Sequence, residues 1–170
     1  MGEQWRPVPG YEGHYEVSDH GNVRSLHRLV ATKGGWNQRH PGKILRPGRF
    51  THSGHLLVAL SKAGTTNGFS VHRLVLEAFV GPCPEGMVAC HDDDDPTNNH
   101  LGNLRWGTYS SNALDAVRNG KHGMANKTHC KRGHEFTDGN TYQRPGAKNR
   151  QCRTCVALVR LETKKKVVTR

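Results

Sequence analysis

Hydrophobic and polar positions change period several times along the chain, and each change marks an element. Gly13-His14-Tyr15-Glu16-Val17 and Asn22-Val23-Arg24-Ser25-Leu26 alternate in the manner of strands, with Ser18-Asp19-His20-Gly21 supplying the turn between them. Residues 29–43, with Gly34, Gly35, Pro41 and Gly42, show no period and read as a basic loop. Ile44-Leu45, His55 to Leu60 and Phe69 to Val71 read as short antiparallel strands, with a turn at Lys62-Ala63-Gly64. The period then lengthens: Val71, Leu74, Val75, Ala78 and Phe79 share one helical face, and Gly81-Pro82 closes that helix. His72 lies off this stripe and is expected to be a structural hydrogen-bonding group.

A strand over Gly86 to His91, a polar loop over 92–100, a second strand Asn103-Leu104-Arg105-Trp106 and a helix to Asn119 follow. Thr108 or Ser110 is the N-cap of that helix and Gly120 its C′ residue. The order is strand, loop, strand, helix, a ββα unit. Further on, the stretch containing Tyr142 and Arg144-Pro145-Gly146 suits a hairpin, and Val156 to Leu161 opens a helix that ends in Lys164-Lys165-Lys166.

Composition changes this picture in two ways. Of the 170 residues only 34% are hydrophobic, so one large core is excluded and several small modules are expected, at least one of them held by a metal. The net charge of +11 is also uneven. Residues 1–120 hold 12 Lys and Arg against 11 Asp and Glu, whereas residues 121–170 hold 13 against 3. A basic end on a near-neutral body points to a polyanion, nucleic acid first. No apolar run is long enough to span a membrane. The start Met1-Gly2-Glu3-Gln4-Trp5 has neither the basic nor the apolar region of a secretory signal. With an odd number of cysteines, five, the expected place is a reducing one, the cytoplasm or a host cell's cytoplasm.

Four of the basic end's residues have metal spacing. Cys130-Lys131-Arg132-Gly133-His134 and Cys152-Arg153-Thr154-Cys155 supply a Cys-x3-His and a Cys-x2-Cys pair, a Cys₃His set suited to structural Zn²⁺. His129 is a rival to His134, which the preceding glycine favours as a knuckle turn. About 30 residues cannot build a sufficient core alone, so the metal carries the folding energy. Arg132, Lys148, Arg150 and Arg153, with the lysine tail, make a basic surface for phosphate contacts.

Two stretches resemble a known family. Trp5, Pro9-Gly10-Tyr11, Tyr15-Glu16-Val17-Ser18 and Gly21-Asn22-Val23-Arg24-Ser25 resemble the nuclease-associated modular (NUMOD-type) DNA-binding domain at the front of many phage and intron-encoded HNH endonucleases. His91, Asp93, Asn98-Asn99, Asn103-Leu104-Arg105-Trp106 and Asn112 resemble the HNH endonucleases themselves, in the subtype with asparagine at the second and third signature positions. The zinc spacing is similar to a motif often appended to such proteins.

The resemblance implies an α+β chain: a β-rich DNA-binding module over 1–50, a ββα-metal nuclease domain over 51–122, and a basic zinc-binding module with a treble-clef-like knuckle and C-terminal helix over 123–170. It implies His91 as general base, Asn103 as the residue orienting it, and Asn112 as a ligand of Mg²⁺ or of Mn²⁺ or Ni²⁺. Such a site hydrolyses phosphodiesters by pairing a base with a cation on the phosphate. Double-stranded DNA is the implied partner, nicked one strand at a time unless a homodimer forms, with Arg24 and Arg105 as further phosphate contacts.

One position departs from the pattern. Cys90 stands where many relatives carry a hard metal ligand, and a thiolate suits softer ions. Three readings follow: another acid (Asp92, Asp93 or Asp115) completes the site, a softer ion such as Mn²⁺, Ni²⁺ or Zn²⁺ is used, or the chain is a non-catalytic, zinc-anchored DNA-binding protein. Asp115 lies on the Asn112 face of its helix and reads equally as a substitute ligand or a solvated residue. Asp93 is expected to cap a turn, Asn98 and Asn99 to fix the loop backbone, and Trp106 to enter the core.

Overall fold

A computed structural model describes residues 2–31, 34–49, 53–147 and 149–168. It divides into two compact units, residues 1–119 and 120–170. In the first, β1 (Trp5–Pro7), β2 (Tyr15–Ser18), β3 (Val23–Ser25) and β6 (Lys43–Ile44) form one antiparallel sheet in that order. The loop expected over 29–43 is instead largely a hairpin of β4 (Arg28–Ala31) and β5 (Asn37–His40). It has no burial period to read, because β5 is exposed along its length and Leu29 and Trp36 face solvent.

A second sheet holds β7 (Gly48–Arg49), β8 (Leu56–Lys62) and β9 (Thr65–Ser70). Ala63 and Gly64, both at positive φ, make the two-residue turn that pairs Lys62 with Thr65. Helix α1 (Val71–Phe79) follows directly and packs against both sheets. Its face, Val71, Leu74, Val75 and Leu76, is buried with Val8, Tyr15, Val17 and Val23 on one side and Val58 and Leu60 on the other. The front strands and the ββα centre share one core, so no packing boundary falls at residue 50.

The centre consists of β10 (Val88–His91), a loop ending in a 3-10 turn at Leu101–Asn103, β11 (Leu104–Gly107) and α2 (Tyr109–Arg118). β10 and β11 are antiparallel, with Cys90 opposite Arg105 and His91 opposite Leu104. Thr108 is the N-cap: its hydroxyl accepts the Ser111 amide at 3.1 Å. Trp106 packs against the shared core, and its indole N–H donates to the Gly81 carbonyl at 3.2 Å. In the second unit β12 (Thr141–Gln143) pairs with β13 (Arg150–Cys152), and α3 (Arg153–Val168) follows at once. No described helix is long and apolar enough to cross a membrane.

Candidate active site and metal cluster

His91 closes β10 and is 5% exposed. Its Nε2 lies 3.2 Å from Asn99 Oδ1. The Asn99 amide nitrogen points the other way and donates to the Thr97 carbonyl at 3.3 Å, which fixes the orientation of the carboxamide. An amide oxygen only accepts, so Nε2 must carry the ring proton and Nδ1 keeps its lone pair. Asn103, expected to orient the base, does something else. Its nitrogen donates to Asp93 Oδ1 and to the Asn98 carbonyl, both at 2.9 Å, and its oxygen accepts the Asp93 amide at 3.2 Å. Asn103 shapes the loop, and Asn99, expected to be scaffold, holds the histidine. The two carboxamides lie close in sequence, and only the folded loop shows which one reaches the ring.

The front module braces this arrangement. Gly21, at φ +83°, sits so close that a Cβ there would lie 2.7 Å from the Asn99 Cβ and 2.9 Å from its carbonyl oxygen. The Leu101 amide donates to the Asp19 carbonyl at 2.7 Å, and the His20 and His100 rings lie 5.0 Å apart.

Two further histidines surround His91. The His72 ring lies 5.1 Å and the His55 ring 5.5 Å from it, and these two are 4.7 Å from each other. His72 is buried, and its Nδ1 has no hydrogen-bond partner, contrary to the structural hydrogen-bonding role expected of it. Burial first, then the neighbouring His91 and His55, push its pKa down to about 3; burial and His91 likewise lower that of His55. His72 is therefore neutral at physiological pH. The helical register of α1 placed it off the apolar stripe, but nothing in the sequence joins it to His55 and His91.

Each acid of the run Asp92 to Asp95 has a partner. Asp92 accepts from Arg105 Nε at 2.7 Å. Asp93 caps the turn as expected, accepting the Asp95 amide at 2.8 Å and the Asn98 carboxamide at 2.7 Å. Burial opposes its ionisation, but hydrogen bonds from Asn98, the Asp95 amide and Asn103, with the nearby His91, outweigh it and hold its pKa at about 2. Asp94, at φ +55°, accepts from Asn119 at 2.8 Å, and Asn119 also donates to the Asp92 carbonyl at 2.7 Å. Asp95 accepts both the amide and the hydroxyl of Thr97. Asn119, at the C-cap of α2, thus clamps the loop from below; it carries no motif signal.

Cys90 is 1% exposed, and its sulfur lies against Val88 O, Gly107 and the Arg105 side chain. Burial raises its pKa, so the position holds a neutral thiol. Asp115, expected as a substitute ligand, is instead buried between two arginines: Oδ2 accepts from Arg105 Nη2, and Oδ1 from Arg118 Nη2 at 2.9 Å. Arg105, expected on phosphate, is engaged by Asp92, Asp115 and Ser111. Asn112, in the second turn of α2, is half-buried, and its carboxamide has no hydrogen-bond partner among the described residues.

In the second unit the ligand atoms of Cys130, His134, Cys152 and Cys155 all lie within 4.8 Å of one another. Cys130 Sγ is 3.4 Å from His134 Nδ1 and 3.5 Å from Cys155 Sγ, and His134 Nδ1 is 3.2 Å from Cys155 Sγ. A tetrahedron with bonds of ~2.3 Å has edges of ~3.8 Å, so the cluster could hold a metal ion. Gly133 makes the turn at φ +81°. His129 lies outside the cluster, with Nδ1 on Thr128 Oγ1 at 2.9 Å. Asn140 supports the cluster: its nitrogen reaches the Glu135 carbonyl and Cys152 Sγ, and its oxygen accepts the Thr154 amide and hydroxyl. Against burial, which raises it, the N–H and thiol contacts from Cys155, Asn140 and Cys130 bring the Cys152 pKa down to about 6. Cys155 rises to about 11 through burial and its cysteine neighbours.

The expected DNA contacts divide. Arg24 is stacked on Trp5 at 4.1 Å and paired with Glu16 at 2.6 Å. Arg150 lies over Phe136 and donates to the carbonyls of Met124, Ala125 and Lys127, so it holds a loop. Arg132 and Arg153 are exposed, and Lys148 lies outside the described residues.

Residues 3–61 match the NUMOD4 motif and residues 69–114 match the HNH endonuclease family. These two matches follow one another along the chain, the NUMOD4 motif first and the HNH endonuclease family second. Over 117 residues it is 34% identical to the DNA endonuclease I-HmuI of Bacillus phage SP01, which covers 69% of this chain and 59% of that protein. It is 30% identical over 120 residues to an uncharacterized HNH endonuclease of Acanthamoeba polyphaga mimivirus, covering 71% of this chain and 32% of the relative. A solved structure of I-HmuI, described as DNA binding and cleavage by the HNH homing endonuclease, matches with a TM-score of 0.56 and 35% identity, covering 69% of this chain and 60% of that one. The chain is homologous to I-HmuI and spans about three fifths of its length. Neither family match reaches residues 120–170.

Proposed function

We propose that this protein is a metal-dependent DNA endonuclease of the HNH type that hydrolyses one phosphodiester strand per encounter. The observation that carries the reading is the Asn99–His91 bond, which puts the ring proton on Nε2 and leaves Nδ1 as a base for water. Asn112 is the residue suited to hold a hard dication, through a carboxamide that no described side chain occupies. Such an ion needs only one or two protein ligands, because waters and the substrate phosphate complete its shell. When bound, it would stabilise charge on the scissile phosphate and the leaving oxygen. The neutral thiol of Cys90 does not suit Mg²⁺, and Asp92 and Asp115 are committed to Arg105, so Mn²⁺ or Ni²⁺ is expected to support turnover at least as well. Double-stranded DNA is the proposed partner. A single site cuts one strand, and a double-strand break would need two encounters or a homodimer.

Supercoiled plasmid incubated with Mg²⁺, Mn²⁺ or Ni²⁺ tests this. The wild type should accumulate nicked circles before linear product, and His91→Ala should be slower by about 10²–10⁴-fold, the usual worth of a general base. Equal cleavage by both proteins would refute the assignment of His91. The buried thiol at Cys90 favours one second reading, a DNA-binding protein without turnover. Retarded migration of DNA on a gel with no cleavage in any of the three metals would establish that reading. In residues 120–170 the Cys130, His134, Cys152 and Cys155 set is proposed to hold structural Zn²⁺, at about one zinc per chain. Its thiols suit the reducing environment of a cytoplasm, the proposed location.

A further inference from the structure

The second unit carries a cleft of about 400 Å³ between the β12–β13 hairpin and the first turns of α3. Arg153, Val156, Ala157 and Arg160 line it from one helical face, at i, i+3, i+4 and i+7, and Tyr142 and Arg144 line it from the hairpin. Its lining contains three arginines and no acid. The side chains of Arg144 and Arg160 make no ion pair or hydrogen bond among the described residues, whereas Arg153 is tied down, with Nε donating to the Thr141 carbonyl at 3.3 Å. The Arg153 guanidinium lies 5.4 Å from the Tyr142 ring centroid, and Tyr142 is 40% exposed.

We infer that this cleft binds an unpaired nucleotide of a DNA strand, with the base stacked on Tyr142 and the phosphates held by Arg144 and Arg160. The inference rests on DNA being the partner, but it does not depend on the nuclease centre. Free arginines alone would suit any phosphate. The half-exposed aromatic ring, steadied by an anchored arginine and floored by Val156 and Ala157, offers a flat apolar face that a duplex backbone does not use. Base faces become available where a strand is unpaired, and stacking on an aromatic ring together with a basic groove is the sequence-tolerant way of binding them.

The test uses the full zinc-loaded chain and fluorescence anisotropy with a labelled oligo-dT strand and a blunt duplex, over a salt series. Arg144→Gln with Arg160→Gln should weaken oligo-dT binding and reduce its log–log salt slope by about 1.4, at about 0.7 per lost phosphate contact on a single strand. Tyr142→Leu should weaken oligo-dT about 5- to 150-fold and leave the duplex unchanged, the range expected for one stacked base. Tyr142→Phe should restore it, which a merely structural role of the hydroxyl would not allow. Lys131→Gln, exposed and outside the cleft, is the basic control, and zinc content reports that each variant is folded. Oligo-dT affinity unchanged in both the arginine and Leu variants would overturn the inference. So would equal losses for duplex and single strand in Tyr142→Leu. Loss of plasmid nicking in His91→Ala bears on the nuclease reading alone, so the two can fail separately.

Discussion

The molecule contains the same local plan twice, hairpin then helix, stabilised by opposite means. In β10–β11–α2 the connecting loop is held by carboxylates and carboxamides, and Leu104 and Trp106 join a core built by α1 and the front strands. Among the described residues of β12–β13–α3 only Cys152 is a buried apolar residue, and the elements converge on three cysteines and a histidine. A hairpin and a helix cannot bury enough surface alone. The first solves this by sharing a core with its neighbours, and the second by gathering metal-ligating groups. The shared core also explains the site: a polar loop can carry so many mutually bonded amides and carboxylates because its frame is fixed elsewhere.

The comparison breaks most visibly under chelation. Removing metal with a strong zinc chelator should abolish amide protection across residues 120–170 and leave the core amides of α1 protected, read by hydrogen exchange. Protection retained in the second unit would mean that it folds on contacts other than the cluster. Cys152→Ser should give the same pattern without chelator.

The reciprocal change is Leu74→Ala, which empties a fully buried position of the shared core. A loss of about 2–5 kcal/mol is expected from denaturant titration of the first unit, with zinc content unchanged. Gly21→Ala tests the brace more narrowly. It forces a side chain into the left-handed region and against Asn99. Nicking should fall more than tenfold while DNA affinity stays within about threefold, because the loop is displaced and the DNA-facing surface is not.

The smallest effect concerns Asp93. Its folded pKa of about 2 lies below the ordinary 3.8, so its carboxylate contributes stability above the unfolded value. That contribution falls away as pH drops from about 4 towards 2. The melting temperature of Asp93→Asn should therefore lie below wild type at about pH 7 and approach it at about pH 3. A gap that stays constant would show that the amide replacement strains the loop by shape and not by charge.

Much of this was legible along the chain. The α1 stripe, the turn at Ala63-Gly64, the Thr108 cap and the Cys-x3-His and Cys-x2-Cys spacing all follow from local periodicity and turn chemistry, and the structure places them where that chemistry puts them. Such features depend on residues a few positions apart, which the backbone geometry alone brings together. The β4–β5 hairpin was not legible, because both its faces meet solvent and leave no alternation.

What only the tertiary structure decided is the division of labour among like groups. Asn99 and not Asn103 meets the His91 ring; Arg105 is consumed by Asp92 and Asp115; Arg150 holds a loop; and His55, just before β8, His72 in α1 and His91 in β10 bring their rings together. A carboxamide offers the same donors and acceptor, and a guanidinium the same donors, wherever it stands. Its role is set by which partner comes within about 3 Å. That distance belongs to the packing of distant strands around α1, and no spacing in the sequence encodes it.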